Sequence, residues 1–182
     1  MKKPIVINLI GGPGVGKSTI ASGVFYRLKK LGINCELALE FAKDKVYEES
    51  FRTMDDQIYI FAKQYHKMWR LIDKVDVIIT DSPLLISLHY MREDSKYFDD
   101  FVIEQYEKFE NKLYFINRAD GEYHTEGRIQ TLNEAKTIDK SIKRILEQKG
   151  SGIVFSDIER DGAVEKIIND LKDSYSNLFK HD

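Results

Sequence analysis

The residues with the plainest chemistry run from Gly11 to Ser18 and read G-G-P-G-V-G-K-S, which fits the phosphate-loop spacing G-x-x-x-x-G-K-[ST]. Glycine at 11, 14 and 16 lets the main chain turn so that successive N–H groups point inward, toward an anion. A helix opening near Lys17 would add the positive end of its dipole to the same pocket. Gly11, Gly12, Gly14, Val15, Gly16, Lys17, Ser18 and Thr19 are therefore expected to cradle the phosphates of a bound cofactor. Lys17 would reach the β- and γ-phosphates, and the Ser18 hydroxyl would bind Mg²⁺, an ion that prefers oxygen ligands.

Such a loop works only if a strand delivers it and a helix leaves it. Residues 5–10, IVINLI, are an apolar run rich in β-branched side chains, and residues 18–31 repeat Ile20, Val24, Phe25, Leu28 and Leu31 on one helical face before Gly32. Further strands are expected at 34–39, 75–80, 113–117 and 153–155, with helices at 55–72, 98–111, 131–149 and 163–178. The segment VDVIIT at 75–80 is continuous enough for a strand buried on both faces. Strands separated by helices pair in parallel through right-handed crossovers, which predicts a three-layer α/β/α sandwich. A length of 182 residues without a repeat or linker predicts one domain over residues 1–182.

Ligands in such sheets bind beyond the carboxyl ends of the strands. Glu40, Asp81, Arg118 and Asp157 occupy those places in the sequence. Asp81 directly follows VDVIIT, as the acidic residue of a Walker B element does, and would share Mg²⁺ with Ser18; capping a helix at Asp81-Ser82-Pro83 is the alternative. Glu40 would accept the proton of an attacking hydroxyl or contact substrate, and Lys43 lies one turn on. Both carboxylates should end near the γ-phosphate, so either could be the general base. Arg118 and Arg128 flank a polar stretch with Gly121 and Gly127, expected as a lid over about 118–128 that brings guanidinium groups onto the transferring phosphoryl; pairing with surface carboxylates is the alternative. On the helix at 55–72 most aromatics should be core, while Gln64 and Tyr65 are candidates for holding a planar base. His66, His89 and His124 lack metal-ligand spacing.

Lys and Arg number 28 against 30 Asp and Glu, and a net charge of −2 argues mildly against a polynucleotide partner. Cys35 is the single cysteine, which excludes an intramolecular disulfide and fits a reducing compartment. No apolar segment is long enough for a membrane span, so a cytoplasmic protein is expected. The oligomeric state stays open, a homodimer included.

Taken together, GGPGVGKST, LALEFAKD, FAKQY, IITDSP and NRADGEYHTEGR resemble the P-loop small-molecule kinases, especially the ribosylnicotinamide kinase domain of NadR and the AAA_28 proteins common in phages. The resemblance implies strand order 2-3-1-4-5 and ATP as phosphoryl donor. Deoxynucleoside kinases are similar at a greater distance. That likeness implies Glu40 as base and Gln64 as nucleobase ligand, while their Glu-Arg-Ser signature is replaced here by Asp81-Ser82-Pro83. The expected activity is Mg-dependent transfer of the ATP γ-phosphoryl to a hydroxyl or phosphate of a nucleoside-like or nucleotide-like small molecule. A polynucleotide 5′-hydroxyl kinase and an NTPase coupled to a partner protein are the alternatives.

Overall fold

The computed structural model describes residues 3–92, 95–119, 130–149 and 153–179. Five strands, β1 Ile5–Ile10, β2 Cys35–Leu37, β3 Val77–Thr80, β4 Glu110–Asn117 and β5 Phe155–Glu159, form one sheet in the order β2-β3-β1-β4-β5. Every pairing is parallel. All carboxyl ends therefore reach one edge of the sheet, as the sequence reading requires. The helices are α1 Lys17–Lys30, α2 Phe41–Tyr47, α3 Phe51–Met54, α4 Gln57–Trp69, α5 Ser87–Tyr90, α6 Lys96–Glu107, α7 Leu132–Lys149 and α8 Ala163–Ser174.

Strand alternation divides the interior in two. Ile5, Ile7 and Leu9 of β1 join α1 (Ile20, Val24, Leu28) and α8 (Ile167, Ile168, Leu171) in one core. Val6 and Ile10 face the other way, onto Phe61 and Met68 of α4, Val102 of α6 and Ile142 and Leu146 of α7. Both layers bury large aliphatic side chains, each contributing about 1.5–3 kcal/mol. With cores on both sides, β1 has no solvated face, and its sequence reads as apolar apart from Asn8, whose Nδ2 donates to Asn111 Oδ1 at 2.9 Å.

Several boundaries differ from expectation, each for a local reason. The helix expected at 55–72 begins at Gln57, because the Asp56 side chain accepts from the Tyr59 N–H at 3.0 Å and caps α4 there. A separate short helix, α2, starts immediately after Glu40. The last strand lies further along than 153–155. β5 pairs only with β4, so as an edge strand it carries Ser156, Asp157 and Glu159 exposed and buries Ile158. The closing helix stops at Ser174 and gives way to a 3₁₀ turn at Ser176–Phe179. The central part of the expected lid, with Gly121, His124, Gly127 and Arg128, lies outside the described residues. Among the described residues no helix is long and apolar enough to cross a membrane.

Candidate active site at the carboxyl edge of the sheet

β1 ends at Ile10 and the chain turns through Gly11–Gly16 into α1, with Gly16 at φ 99° immediately before the first helical residue, Lys17. A Cβ on Gly16 would also stand 3.0 Å from Cδ of Arg160, whose stem lies across the loop from beyond the end of β5. The Val15 side chain is buried in the core beneath, so only its main chain is available to a ligand. Ser18 and Thr19 are exposed on the first turn of α1. Lys17 Nζ donates to the carbonyls of Gly11 and Gly12, both at 2.8 Å. Burial lowers its pKa, and the carboxylates of Glu40, Asp81 and Asp139 act against that fall. Lys17 is thus the cation around which three carboxylates are gathered.

Asp81 is buried at the end of β3, where its Oδ1 accepts the Glu40 N–H at 2.9 Å. This bond spans the ends of β2 and β3. A second tie lies just behind it. The Thr80 hydroxyl donates to the Ala38 carbonyl at 2.7 Å, and Gln64 Nε2 donates to the same carbonyl at 3.1 Å and to Thr80 Oγ1 at 3.3 Å. Gln64 Oε1 accepts the Phe41 N–H at 3.2 Å. The chain between β2 and α2 is therefore pinned on both sides of Glu40. Burial, with help from Asp81, pushes the Glu40 carboxyl above the usual carboxylate range, while Lys17 draws it back. Gln64 is itself buried, with both ends of its amide engaged by the protein. Its amide thus joins the main chain at Ala38 and Phe41, on either side of Glu40, to Thr80.

On the other side of the loop, Arg118 follows β4 and pairs with Asp139 of α7, Nε to Oδ2 at 2.7 Å. Arg118 Nη2 donates to the Pro13 carbonyl at 2.8 Å, and Asp139 Oδ1 accepts the Gly12 N–H at 2.6 Å. Arg118 thus has a carboxylate partner, but one inside the cleft: the two side chains are 11% and 14% exposed. Tyr90, at the end of α5, lies near both Glu40 and Asp139. Its hydroxyl pKa is pushed up to about 12, by burial first and then by Glu40 and Asp139. His89 Nδ1 lies 3.1 Å from the Ser141 hydroxyl and ties α5 to α7.

Sequence reasoning missed Asp139 and Tyr90. A signal for Asp139 was present. It shares the helical stripe of Ala135, Ile142 and Leu146, all buried, and a carboxylate on an apolar stripe calls for a partner. Tyr90 had no such mark. Asp157, expected beyond a strand end, instead lies within β5 and pairs with Lys143 Nζ at 2.8 Å on an exposed edge, because the strand starts later than its apolar residues suggested. Tyr65 stacks on Phe61 with centroids 6.2 Å apart and packs against the core, while Lys43 is exposed beside Glu40. Trp69 is about half exposed and lies against His66, away from the loop. Among the described residues no group of three or more His, Cys, Asp or Glu is placed to hold a metal. Mg²⁺ in phosphoryl-transfer sites needs only one or two carboxylates with phosphate and water, and the oxygen donors Ser18 and Asp81 fit that demand.

The AAA_28 family model, described as an AAA domain, matches residues 6–166. A putative adenylate kinase from Methanococcus maripaludis (strain C7) is 26% identical over 170 residues, 92% of this chain and 86% of that protein. The NadR protein, solved in complex with NR, superposes with a TM-score of 0.68 at 16% identity over 93% of this chain and 50% of that one, so the chain spans about half its length. Shikimate kinase from Aquifex aeolicus gives a TM-score of 0.50 at 16% identity, over 93% of this chain and 98% of the other. The fold is that of the P-loop kinases, and the chain belongs to the AAA_28 family of AAA domains.

Proposed function

We propose that the chain is an ATP-dependent kinase that transfers the γ-phosphoryl group to a hydroxyl of a nucleoside-like or nucleotide-like small molecule. The observation that carries this reading is the placement of Glu40. Its carboxyl is near enough to Lys17 to feel that charge, the main-chain N–H groups of Glu40 and Phe41 are held by the Asp81 and Gln64 side chains, and burial raises its basicity. A group so placed takes the proton of an acceptor hydroxyl as that oxygen attacks the γ-phosphorus and the bond to the β–γ bridging oxygen breaks, leaving ADP. Asp81, with one oxygen already committed to the Glu40 N–H, is better suited to a metal than to proton transfer.

Phosphoryl transfer depends on positioning and on fixed charge rather than on covalent chemistry. The loop amides and Lys17 bind the β- and γ-phosphates. Ser18 and Asp81 would hold Mg²⁺, which neutralises charge on the phosphate oxygens. Arg118, held at the loop by Pro13 and Asp139, adds a guanidinium on the side away from Glu40, and Arg128 is a further candidate from the same polar stretch. Next to Glu40 in the chain, Phe41 meets Tyr59 edge to face with centroids 5.8 Å apart, and Lys43 and Tyr90 lie near enough to Glu40 to interact with its charge. Aromatic faces beside a general base suit a nucleoside-like acceptor. The curated relative is named as an adenylate kinase and the NadR structure contains NR, which supports that substrate class.

The test is mass spectrometry of reactions containing Mg-ATP and a panel of nucleosides, nicotinamide riboside, nucleoside monophosphates and short 5′-hydroxyl oligonucleotides. A phosphorylated small molecule is expected. ADP without a phosphorylated product would replace transfer with hydrolysis, and a phosphorylated oligonucleotide alone would move the acceptor class.

A further inference from the structure

We infer that Asp139 is a positioning residue for nucleotide binding, holding Arg118 and the entry limb of the phosphate loop in one fixed arrangement. This rests on the kinase reading for its meaning but not for its measurement.

Three elements meet at this carboxylate. Oδ1 accepts the Gly12 N–H at 2.6 Å and Oδ2 accepts Arg118 Nε at 2.7 Å, while Arg118 returns to the loop through the Pro13 carbonyl at 2.8 Å. The result is a closed ring joining α7, the end of β4 and residues 12–13. The Gly12 carbonyl in turn receives Lys17 Nζ at 2.8 Å. Asp139 therefore reaches the phosphate-binding lysine through a single residue. The fit is close: a Cβ on Gly12 would collide with Asp139 Oδ1, stand 2.9 Å from the Ala135 carbonyl and 3.2 Å from Arg118 Nη2. Helix α7 thus lies directly against the loop, and glycine at 12 is what permits it.

An apolar side chain would serve packing better. Neighbours on the stripe, Ala135, Ile142 and Leu146, are buried and apolar, and a well-packed hydrophobic replacement for a buried ion pair is often neutral or stabilising. What a carboxylate adds is direction. It fixes the plane of the Arg118 guanidinium and the orientation of the Gly12 peptide, whose displacement would carry the amides from Val15 to Thr19 with it.

The experiment measures binding of the non-hydrolysable analogue AMP-PNP with Mg²⁺ by calorimetry, for wild type, Asp139→Asn, Arg118→Gln and the double variant. Each single change should weaken binding about tenfold or more, the loss of a charge-assisted hydrogen bond. The double variant should stay within about twofold of the weaker single one, since both changes break one unit. Losses that multiply, or Asp139→Asn within about twofold of wild type, overturn the inference. If Asp139→Asn loses its cooperative melting transition, Gly12→Ala breaks the same contact from the loop side; unchanged affinity there overturns it equally. With an acceptor in hand, Asp139→Asn should raise KM for ATP and lower kcat with the acceptor KM unchanged, a split that simple loss of folded protein does not produce. Wild type that binds AMP-PNP but phosphorylates nothing would end the kinase reading and leave this affinity cycle intact.

Discussion

Replacing Lys17 with methionine keeps the length and most of the apolar stem but deletes the ammonium, and the structure assigns opposite signs to its effects on rate and on the charge contribution to stability. In the ligand-free site the ammonium is held by the Gly11 and Gly12 carbonyls and faces Glu40, Asp81 and Asp139. In the proposed function it serves the β- and γ-phosphates once nucleotide is bound. Removing one preorganised donor from a developing oxyanion costs about 10²–10³ in kcat, or about 2.7–4 kcal/mol, and a full charge belongs at the upper end. A second loss follows from Glu40, whose pKa is held down mainly by Lys17. Without that cation the Glu40 carboxyl is pushed further up, so its use as a base shifts to higher pH. Turnover should therefore fall about 10³-fold or more. The charge contribution to stability should move the other way, against the loss of the two hydrogen bonds to the Gly11 and Gly12 carbonyls. Because burial outweighs the carboxylates and lowers the Lys17 pKa, the folded protein disfavours the charged form. That cost is complete below the lowered folded pKa and is relieved as pH rises toward the unfolded value, so at pH 7 methionine removes it. A coupled ADP-release assay with saturating acceptor, alongside thermal melting, reads both. Turnover within about tenfold of wild type would refute the role given to Lys17. The melting difference, variant minus wild type, should shrink as pH rises toward the unfolded lysine value, and a difference that grows with pH would refute the electrostatic reasoning.

The raised pKa of Glu40 makes activity depend on pH in a definite direction: kcat should climb as pH rises through a value above the usual carboxylate range, and Glu40→Gln should abolish that limb with little change in ATP affinity. A folded pKa above the unfolded one means stability is lost as pH rises between them, so Glu40→Gln should also melt no lower than wild type at pH 7. Gln64→Ala leaves the Phe41 N–H without its acceptor and removes two donated bonds in a buried site, so urea unfolding should show a loss of about 2–4 kcal/mol; a loss below about 1 kcal/mol would remove Gln64 from its positioning role. Asp157→Asn breaks only the exposed pair with Lys143, so it should change stability by less than about 1 kcal/mol and leave kcat unaltered. A large kinetic effect would return Asp157 to the site.

The phosphate loop was fully legible because its chemistry is local: glycines, lysine and serine at fixed spacing between an apolar strand and an amphipathic helix. The sheet was legible for a related reason, since strands buried on both faces announce themselves as apolar runs. The edge strand β5 was misplaced because Asp157 and Glu159 stand exposed on one face and Ser156 is exposed on the other, leaving Ile158 as its buried residue and no apolar run to read. Glu40 and Asp81 could be placed at strand ends, but not the bond that joins them, which depends on the neighbouring of β2 and β3. Gln64 shows the limit most clearly. Its residue type admits either a ligand or a main-chain partner, and only the tertiary position of Ala38, Phe41 and Thr80 distinguishes the two. Tyr90 reaches the cleft through a short helix with no periodicity to read.

The most direct test of the central claim is ³¹P NMR of the protein with Mg-ATP and the acceptor identified by mass spectrometry. A new phosphoester resonance is expected to grow in equal amount with ADP, without inorganic phosphate, and to be absent with Glu40→Gln. Inorganic phosphate appearing in place of the phosphoester, or a phosphoester formed equally well by Glu40→Gln, would contradict that claim.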